Sequence, residues 1–242
     1  MGASLCNFQV RSESQKNVCN AVRKIISIRA FLSPVQNGWV SVFDELSNSM
    51  DEEEIRRAGK TLSEQLATVV IAFVIYHSDV MIYYFFDRGK ELDYYNSTPD
   101  YFGAKLDRNE FDKTKGDAKL FIKYIDQSIK KDDIENILFR KPAQEISLDE
   151  KPRYVLQEER LKALFSLLHI NENYAFIGFH DFFVEGISQF VKNKSKFKLA
   201  ARRGALKKIE ELFKSIDENN VAKVKDLIHS GLSPNTKTND RR

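Results

Sequence analysis

Four histidines (His77, His169, His180 and His229) and two cysteines (Cys6 and Cys19) are the residues best suited to hold a metal. No two histidines stand at a ligand-like spacing. Neither an HxxxH pair nor a Cys/His set is present, so no metal site is expected. Carboxylates are the next resource. "FDEL" (43–46) and "MDEEE" (50–54) hold paired acids that would suit acid/base catalysis or a magnesium ion. The second group has a simpler reading, because acids in a first helical turn meet the positive end of the helix dipole. "HSD" (77–79) has the residue types of a Ser/His/Asp relay, yet neighbours in a tight turn point apart and cannot pass a proton among themselves. Catalysis through Asp44, Glu45 and Asp79 would require those side chains to converge in one pocket. No catalytic residue and no cofactor is expected.

Phosphate-cradling loops are also missing. "DRGK" (87–90) has a single glycine and reads as a hairpin turn. The aromatics of "IYYFFDRGKELDYYNSTPDYFG" (82–103) lack the RNP1 pattern of an RNA-stacking sheet, which favours core packing or a partner surface. A clearer cationic signal lies in "VKNKSKFKLAARRGALKK" (191–208). Its eight basic residues, Lys192, Lys194, Lys196, Lys198, Arg202, Arg203, Lys207 and Lys208, are interrupted by no acid. Such a run reads as a linker or solvated helix, or else as a patch that contacts nucleic acid or an anionic membrane surface.

Those side chains are positioned by a chain of 242 residues, 42% hydrophobic and 12% aromatic, which is enough apolar surface to exclude a wholly disordered protein. Charge is unevenly divided. Residues 191–242 hold 14 basic and 6 acidic residues, net +8, and residues 1–190 hold 24 and 29, net −5. A sign change of this kind marks a module boundary near residue 190. Two cysteines argue against a disulfide framework and fit a reducing cytoplasm. The start "MGASLCNFQV" lacks the pattern of a secretion signal, and the longest apolar run, "ATVVIAFVIY" (67–76), is too short to cross a bilayer.

Periodicity predicts a strand at "NFQVRS", a helix at "SQKNVCNAVRKII", and two strands flanking the Asn37-Gly38 turn. A helix over "DEEEIRRAGKTLSEQLA" and three strands, "VVIAFVIY", "VMIYYFF" and "ELDYYN", follow. "VVIAFVIY" is apolar at every position, as in a strand buried on both faces. This β-α-β-β-α-β-β-β order predicts an α+β fold, with helices on one face of a mainly antiparallel sheet and a ferredoxin-like core with extra edge strands. Residues 97–117 read as loop. "AKLFIKYIDQ", "KDDIENILF" and "EERLKALFSLLHI" read as helices, the second capped by Asp132 or Asp133, and 140–155 as an irregular connector. "YAFIGFHDFFVEG" (174–186) reads as a strand broken at Gly178 that completes the sheet. Residues 1–190 are thus expected to form one α+β domain, 191–205 a basic linker or helix, and 206–242 a separate unit.

That last unit, "LKKIEELFKSIDENNVAKVKDLIHSGLSPNTKTNDRR", divides into two helical stretches at "ENN", with Gly231 and Pro234 punctuating the end of the second. Its "NN" turn, "VAKVKDLI", "SGLSPN" and "TKTNDRR" resemble the second helix and outgoing hairpin of an ankyrin repeat. "IEELF" stands where the family has Thr-Pro-Leu-His, which suits a capping repeat. The resemblance implies an adaptor that binds another protein, with the chain expected to be a piece of a longer array. A lone repeat leaves the face of Val224, Leu227 and Ile228 uncovered, so these three are the expected partner surface. The leading expectation is therefore a cytoplasmic protein–protein interaction module. Nucleic-acid or anionic-membrane binding through 192–208 is the alternative, and no small-molecule substrate is indicated.

Overall fold

The computed structural model describes residues 2–25, 29–101, 103, 106–141, 153–183 and 197–201. The fold is α+β, built on a seven-stranded antiparallel sheet. The first half of the chain runs β1 (Leu5–Arg11), α1 (Gln15–Ile25), β2 (Arg29–Leu32), β3 (Trp39–Asp44), α2 (Glu52–Leu66), β4 (Val69–Tyr76), β5 (Val80–Asp87) and β6 (Lys90–Asn96). Four short helices follow, α3 (Arg108–Asp112), α4 (Ala118–Tyr124), α5 (Lys131–Leu138) and α6 (Gln157–Leu167), and the last described strand is β7 (Lys198–Ala201). Spatial order across the sheet is β6-β5-β4-β1-β3-β2-β7. Helix α1 therefore links β1 to β2 with β3 between them, and α2 links β3 to β4 with β1 between them.

Local chemistry explains the main elements. Asp51 caps α2 by accepting hydrogen bonds from the amides of Glu53 and Glu54, and Glu52, Glu53 and Glu54 fill the first turn. Three hairpins turn on two adjacent residues at positive φ, through two-residue turns at 37–38 and 88–89 and a three-residue turn at 77–79, as right-twisted strands require. Asn37 and Gly38 (φ 51° and 77°) and Arg88 and Gly89 (47° and 78°) supply glycine at one position. His77 and Ser78 (51° and 63°) do without it and are held by outside contacts. The Ser78 amide donates to Ala3 O (2.8 Å), and its hydroxyl donates to Glu158 Oε1 (2.6 Å).

Both faces of the sheet are covered, which differs from the single helical layer that the sequence suggests. Phe8, Val10, Val42, Val70, Ala72, Tyr84 and Phe86 pack with Val18 and Val22 of α1 and Ile55 and Leu62 of α2. The alternate residues, among them Leu5, Trp39, Phe43, Ile71, Phe73, Tyr83 and Phe85, pack with Phe121 of α4, Ile134 of α5 and Leu161, Leu164 and Phe165 of α6. The reason is the period-2 geometry of strands that are apolar at successive positions: each such strand has two apolar faces to bury.

Further expectations change, and residues 97–117, read as loop, hold the one-turn helix α3 (Arg108–Asp112) under an Asp107 cap. Over its described part the segment 174–186, expected as strand, lies instead in two 3-10 turns (Glu172–Phe176 and His180–Phe183). The side-chain amide of Asn7, buried in β1, donates to Tyr174 O and Ile177 O, giving this backbone partners outside any sheet ladder. Residues 198–201, placed by charge in a linker or helix, form β7 against β2, with Ala30 opposite Ala200 and Leu32 opposite Lys198. Ala200 is buried, and Phe197 stacks among Phe43, Tyr174 and Phe182. Helix α5 begins after Lys130 without a side-chain cap, so Asp132 and Asp133 lie in its first turn.

Gly59 faces the sheet from the middle of α2, and a Cβ there would collide with the buried ring of Phe86. Gly59→Ala should lower stability by roughly 1–3 kcal/mol through overpacking, despite alanine's helix advantage of about 1 kcal/mol. Urea unfolding followed by fluorescence of Trp39, the single tryptophan, measures this; an unchanged or raised midpoint would refute the tight approach of α2.

Candidate functional site

Beyond β6 the chain turns back along the open edge of that strand. The Asn96 amide donates to Thr114 O (2.9 Å), and Tyr95 bridges Lys115. Asp93 of β6 then accepts from the Tyr83 hydroxyl (2.6 Å) and from the Asp117 amide (2.7 Å), which fixes the entry to α4. Gly116 sits between these anchors at φ 74°, where a Cβ would strike the Tyr83 hydroxyl. Asp107 caps α3 in a reciprocal capping box with Glu110, and Asp117 caps α4 through the Lys119 amide.

Between α3, this edge segment, α4 and α5 lies a cavity of about 660 Å³. Five cationic side chains line it, Arg108, Lys115, Lys119, Lys131 and Arg140, together with the acids Asp112, Asp117 and Glu135 and the rings of Phe111 and Phe139. Two of the cations are matched. Arg108 pairs with Asp112 (3.5 Å) and Lys131 with Glu135 (2.6 Å). Among the described residues Lys115, Lys119 and Arg140 have no carboxylate within ion-pair distance.

Arg140 is the unusual member. Its guanidinium lies 3.9 Å from the Phe111 ring centroid, and Nη2 donates to Phe111 O (2.5 Å) and Thr114 Oγ1 (2.8 Å). Nε and Nη1 are buried and have no hydrogen-bond partner. Burial lowers its pKa from the ordinary arginine value, the direction expected when a cation is desolvated without a matching anion. A second buried arginine lies behind it. Arg160 of α6 donates through Nη1 to the Tyr95 hydroxyl (2.5 Å), Ile137 O (3.0 Å) and Phe139 O (3.1 Å). Two arginines thus flank Tyr95 and fix the end of α5, where Phe139 and Arg140 enter the cavity. This arrangement suits an anion: an unmatched desolvated guanidinium gains most from one, and two further unpaired ammonium groups stand beside it.

The sequence-level candidates fall elsewhere. Lys198 is exposed on β7, opposite Leu32. Lys192, Lys194, Lys196, Arg202, Arg203, Lys207 and Lys208 lie outside the described residues, as do Val224, Leu227, Ile228 and the whole ankyrin-like unit. The three carboxylates considered for catalysis take separate partners. Asp44 accepts from the Ser47 amide (2.9 Å), Glu45 binds Arg29 through both oxygens (2.8 and 2.6 Å), and Asp79 accepts from the Tyr101 hydroxyl (2.9 Å). Among the described residues no group of three or more His, Cys, Asp or Glu is arranged to hold a metal, and no helix is long and apolar enough to cross a membrane. His77 lies in the β4–β5 turn, as its sequence context indicates. The aromatics Tyr83, Tyr84, Phe85, Phe86 and Tyr95 are core residues. The groove itself is signalled only faintly, by basic residues scattered through a loop-like stretch and an arginine 25 positions after Lys115.

Comparison of the chain with protein-family models, curated proteins and solved structures returns no match. Any functional reading therefore rests on geometry and sequence chemistry.

Asp44 carries a pH signature of its own. It is buried on the α1/α2 side, Oδ2 has no partner, and burial raises its pKa above the ordinary carboxylate value. A carboxyl raised in the folded state favours folding most at low pH, and that contribution is lost as pH rises through the folded-state pKa. Asp44→Asn, which keeps the acceptor for Ser47, should therefore gain stability relative to the native chain as pH increases. Thermal unfolding from about pH 3 to about pH 8 checks the sign. A stability difference that shrinks with pH would show that Asp44 is ionised and paired.

Proposed function

We propose that this chain is a binding module whose α+β domain receives an anionic group between α3, α4 and α5. The observation that carries the reading is Arg140, whose half-buried guanidinium lines a cavity with Nε and Nη1 buried and, among the described residues, no carboxylate within ion-pair distance. Proteins rarely leave such a charge desolvated unless something completes it. Lys115 and Lys119 add charge at the same place, and their exposed heads cost nothing to hold there. No bond-making step is assigned, because the groove offers donors and charge without a paired nucleophile and base.

The sheet order β4-β1-β3-β2, with α1 and α2 on one face, supports a ferredoxin-like core extended by β5, β6 and β7. That likeness concerns architecture and carries no function. At the C-terminus, "VAKVKDLI" and "SGLSPN" support an adaptor role toward another protein by their ankyrin-like pattern, and the dense charge of 192–208 supports contact with polyanions. On this view the domain and the C-terminal unit bind different things, and deleting 206–242 should abolish co-purification of a protein partner while leaving the groove intact.

The groove reading is tested with inorganic phosphate as probe, in 15N-resolved NMR titrations at low salt. Shift changes should concentrate in residues 108–119 and 131–140. Lys115→Gln and Lys119→Gln should each weaken binding several-fold, as expected for loss of a charge-assisted contact worth roughly 1 kcal/mol or more. Added chloride should weaken it further. Shift changes spread over the whole surface, or unaffected by the double substitution, would dispose of the reading.

A further inference from the structure

We infer that the anion taken by the groove is the phosphate of a mononucleotide-like ligand, a phosphate ester carrying a planar ring that lies on Phe139; this rests on the anion-binding reading above. Phosphate alone underfills the site. The cavity, about 660 Å³, has the size of pockets that enclose whole organic ligands, roughly 300–1,000 Å³. Beyond its cations it offers a ring: Phe139 is 59% exposed, and of the exposed large apolar side chains among the described residues only Val155 is more so.

Single exposed apolar residues need no explanation in general. Phe139 differs in two respects. It lines the same cavity as Arg140, and its backbone is clamped. Its own carbonyl and that of Ile137 both accept from Arg160, which is 7% exposed. A backbone held by a buried cation keeps this residue at the cavity without a ligand, so little main-chain freedom is lost on binding. An aromatic side chain and a guanidinium lining one cavity match a ligand with a planar π-system at one end and a phosphate at the other. Asp112, Asp117 and Glu135, on the same wall, oppose a polyanionic strand, which favours a ligand bearing one phosphate group over a run of nucleotides.

The test compares inorganic phosphate, ribose 5-phosphate and adenosine and uridine 5′-monophosphates by NMR titration of the full chain. The nucleotides should bind more tightly than ribose 5-phosphate by about 5- to 100-fold, the range that base stacking on an aromatic side chain supplies. Phe139→Ala, at an exposed position, should erase that advantage and leave phosphate affinity unchanged. Lys119→Gln should weaken all the ligands in parallel. Equal binding of nucleotide and ribose 5-phosphate would overturn the ring assignment while sparing the anion site. Binding of none of them would overturn both. Affinity for single-stranded oligonucleotides that grows with length would replace the small ligand with nucleic acid.

Discussion

Strand β4 has no polar residue from Val69 to Ile75, and all seven side chains are buried. Burial on both sides of one central strand is the constraint from which the architecture follows. One side is met early, because the two crossovers that build the β1 to β4 order bring α1 and α2 to the same face. The other side is left bare when β6 ends, and the remaining described elements must cover it. Helices α4, α5 and α6 and the 3-10 turns at 172–183 do so by packing Phe121, Ile134, Leu161, Leu164, Phe165 and Tyr174 in one cluster with the apolar residues of β3, β4 and β5. The groove is a by-product of this second layer. It opens where α3, α4 and α5 meet the rim of the sheet, and the edge of β6 is paired there by residues 114–117 in place of another strand.

The start of α6 joins that layer to the sheet. Leu156, at its N-cap, supplies no side-chain acceptor, and the Gln157 amide instead donates to Ser78 O (2.9 Å) in the β4–β5 turn. Glu158 accepts from the Ser78 hydroxyl, and Arg160 takes two carbonyls at the end of α5. Three polar side chains within four positions, Gln157, Glu158 and Arg160, are all buried. Burying them is costly unless they are bonded. The side chains of Glu158 and Arg160 bond at long range, to Ser78, Tyr95, Ile137 and Phe139, so that part of the cost is offset only when α5, α6 and the hairpin turn are correctly assembled. The same residues that fix the register of the second layer also fix the walls of the cavity.

What the sequence made legible follows from periodicity. Helix α2 announces itself by acids in its first turn and by Ile55 and Leu62 along one side, and β4 and β5 by unbroken apolar runs, so the order through β6 was readable. An apolar run with a glycine, however, has no period that separates strand from compact turn. "YAFIGFHDFF" was ambiguous for this reason, and its fate was decided by the amide of Asn7, 167 positions from Tyr174. Strand β7 was obscured differently. Four residues are too few to show a period, and the surrounding lysines suggested solvent when Ala200 was in fact headed for the core. The two-sided cover was implied by β4 itself but was lost to the economy of a single helical layer. The groove left only scattered basic residues as a signal, because Lys115, Lys119, Phe139 and Arg140 come to line one cavity only through the packing of α4 against α5.

The charge distribution separates the two anion-binding readings proposed for this chain. Residues 1–190 carry net −5, so the cations of the groove are a local exception within an acidic unit. A long polyanion samples the whole field over a Debye length of about 8 Å at physiological salt and would meet repulsion on approach. On the proposed reading a small anion that reaches the cavity is governed instead by short-range contacts to the half-buried Arg140 guanidinium, where the effective dielectric is lower than in water and each hydrogen bond counts for more. The run at 192–208 has the opposite character: eight cations, no acid between them and a segment net charge of +8 over 191–242. Dense charge along a run of sequence suits a polymer or a surface. A single desolvated arginine in a cavity suits a discrete ligand. The sign change near residue 190 thus divides two kinds of electrostatics, one that attracts at a distance and one that selects at contact.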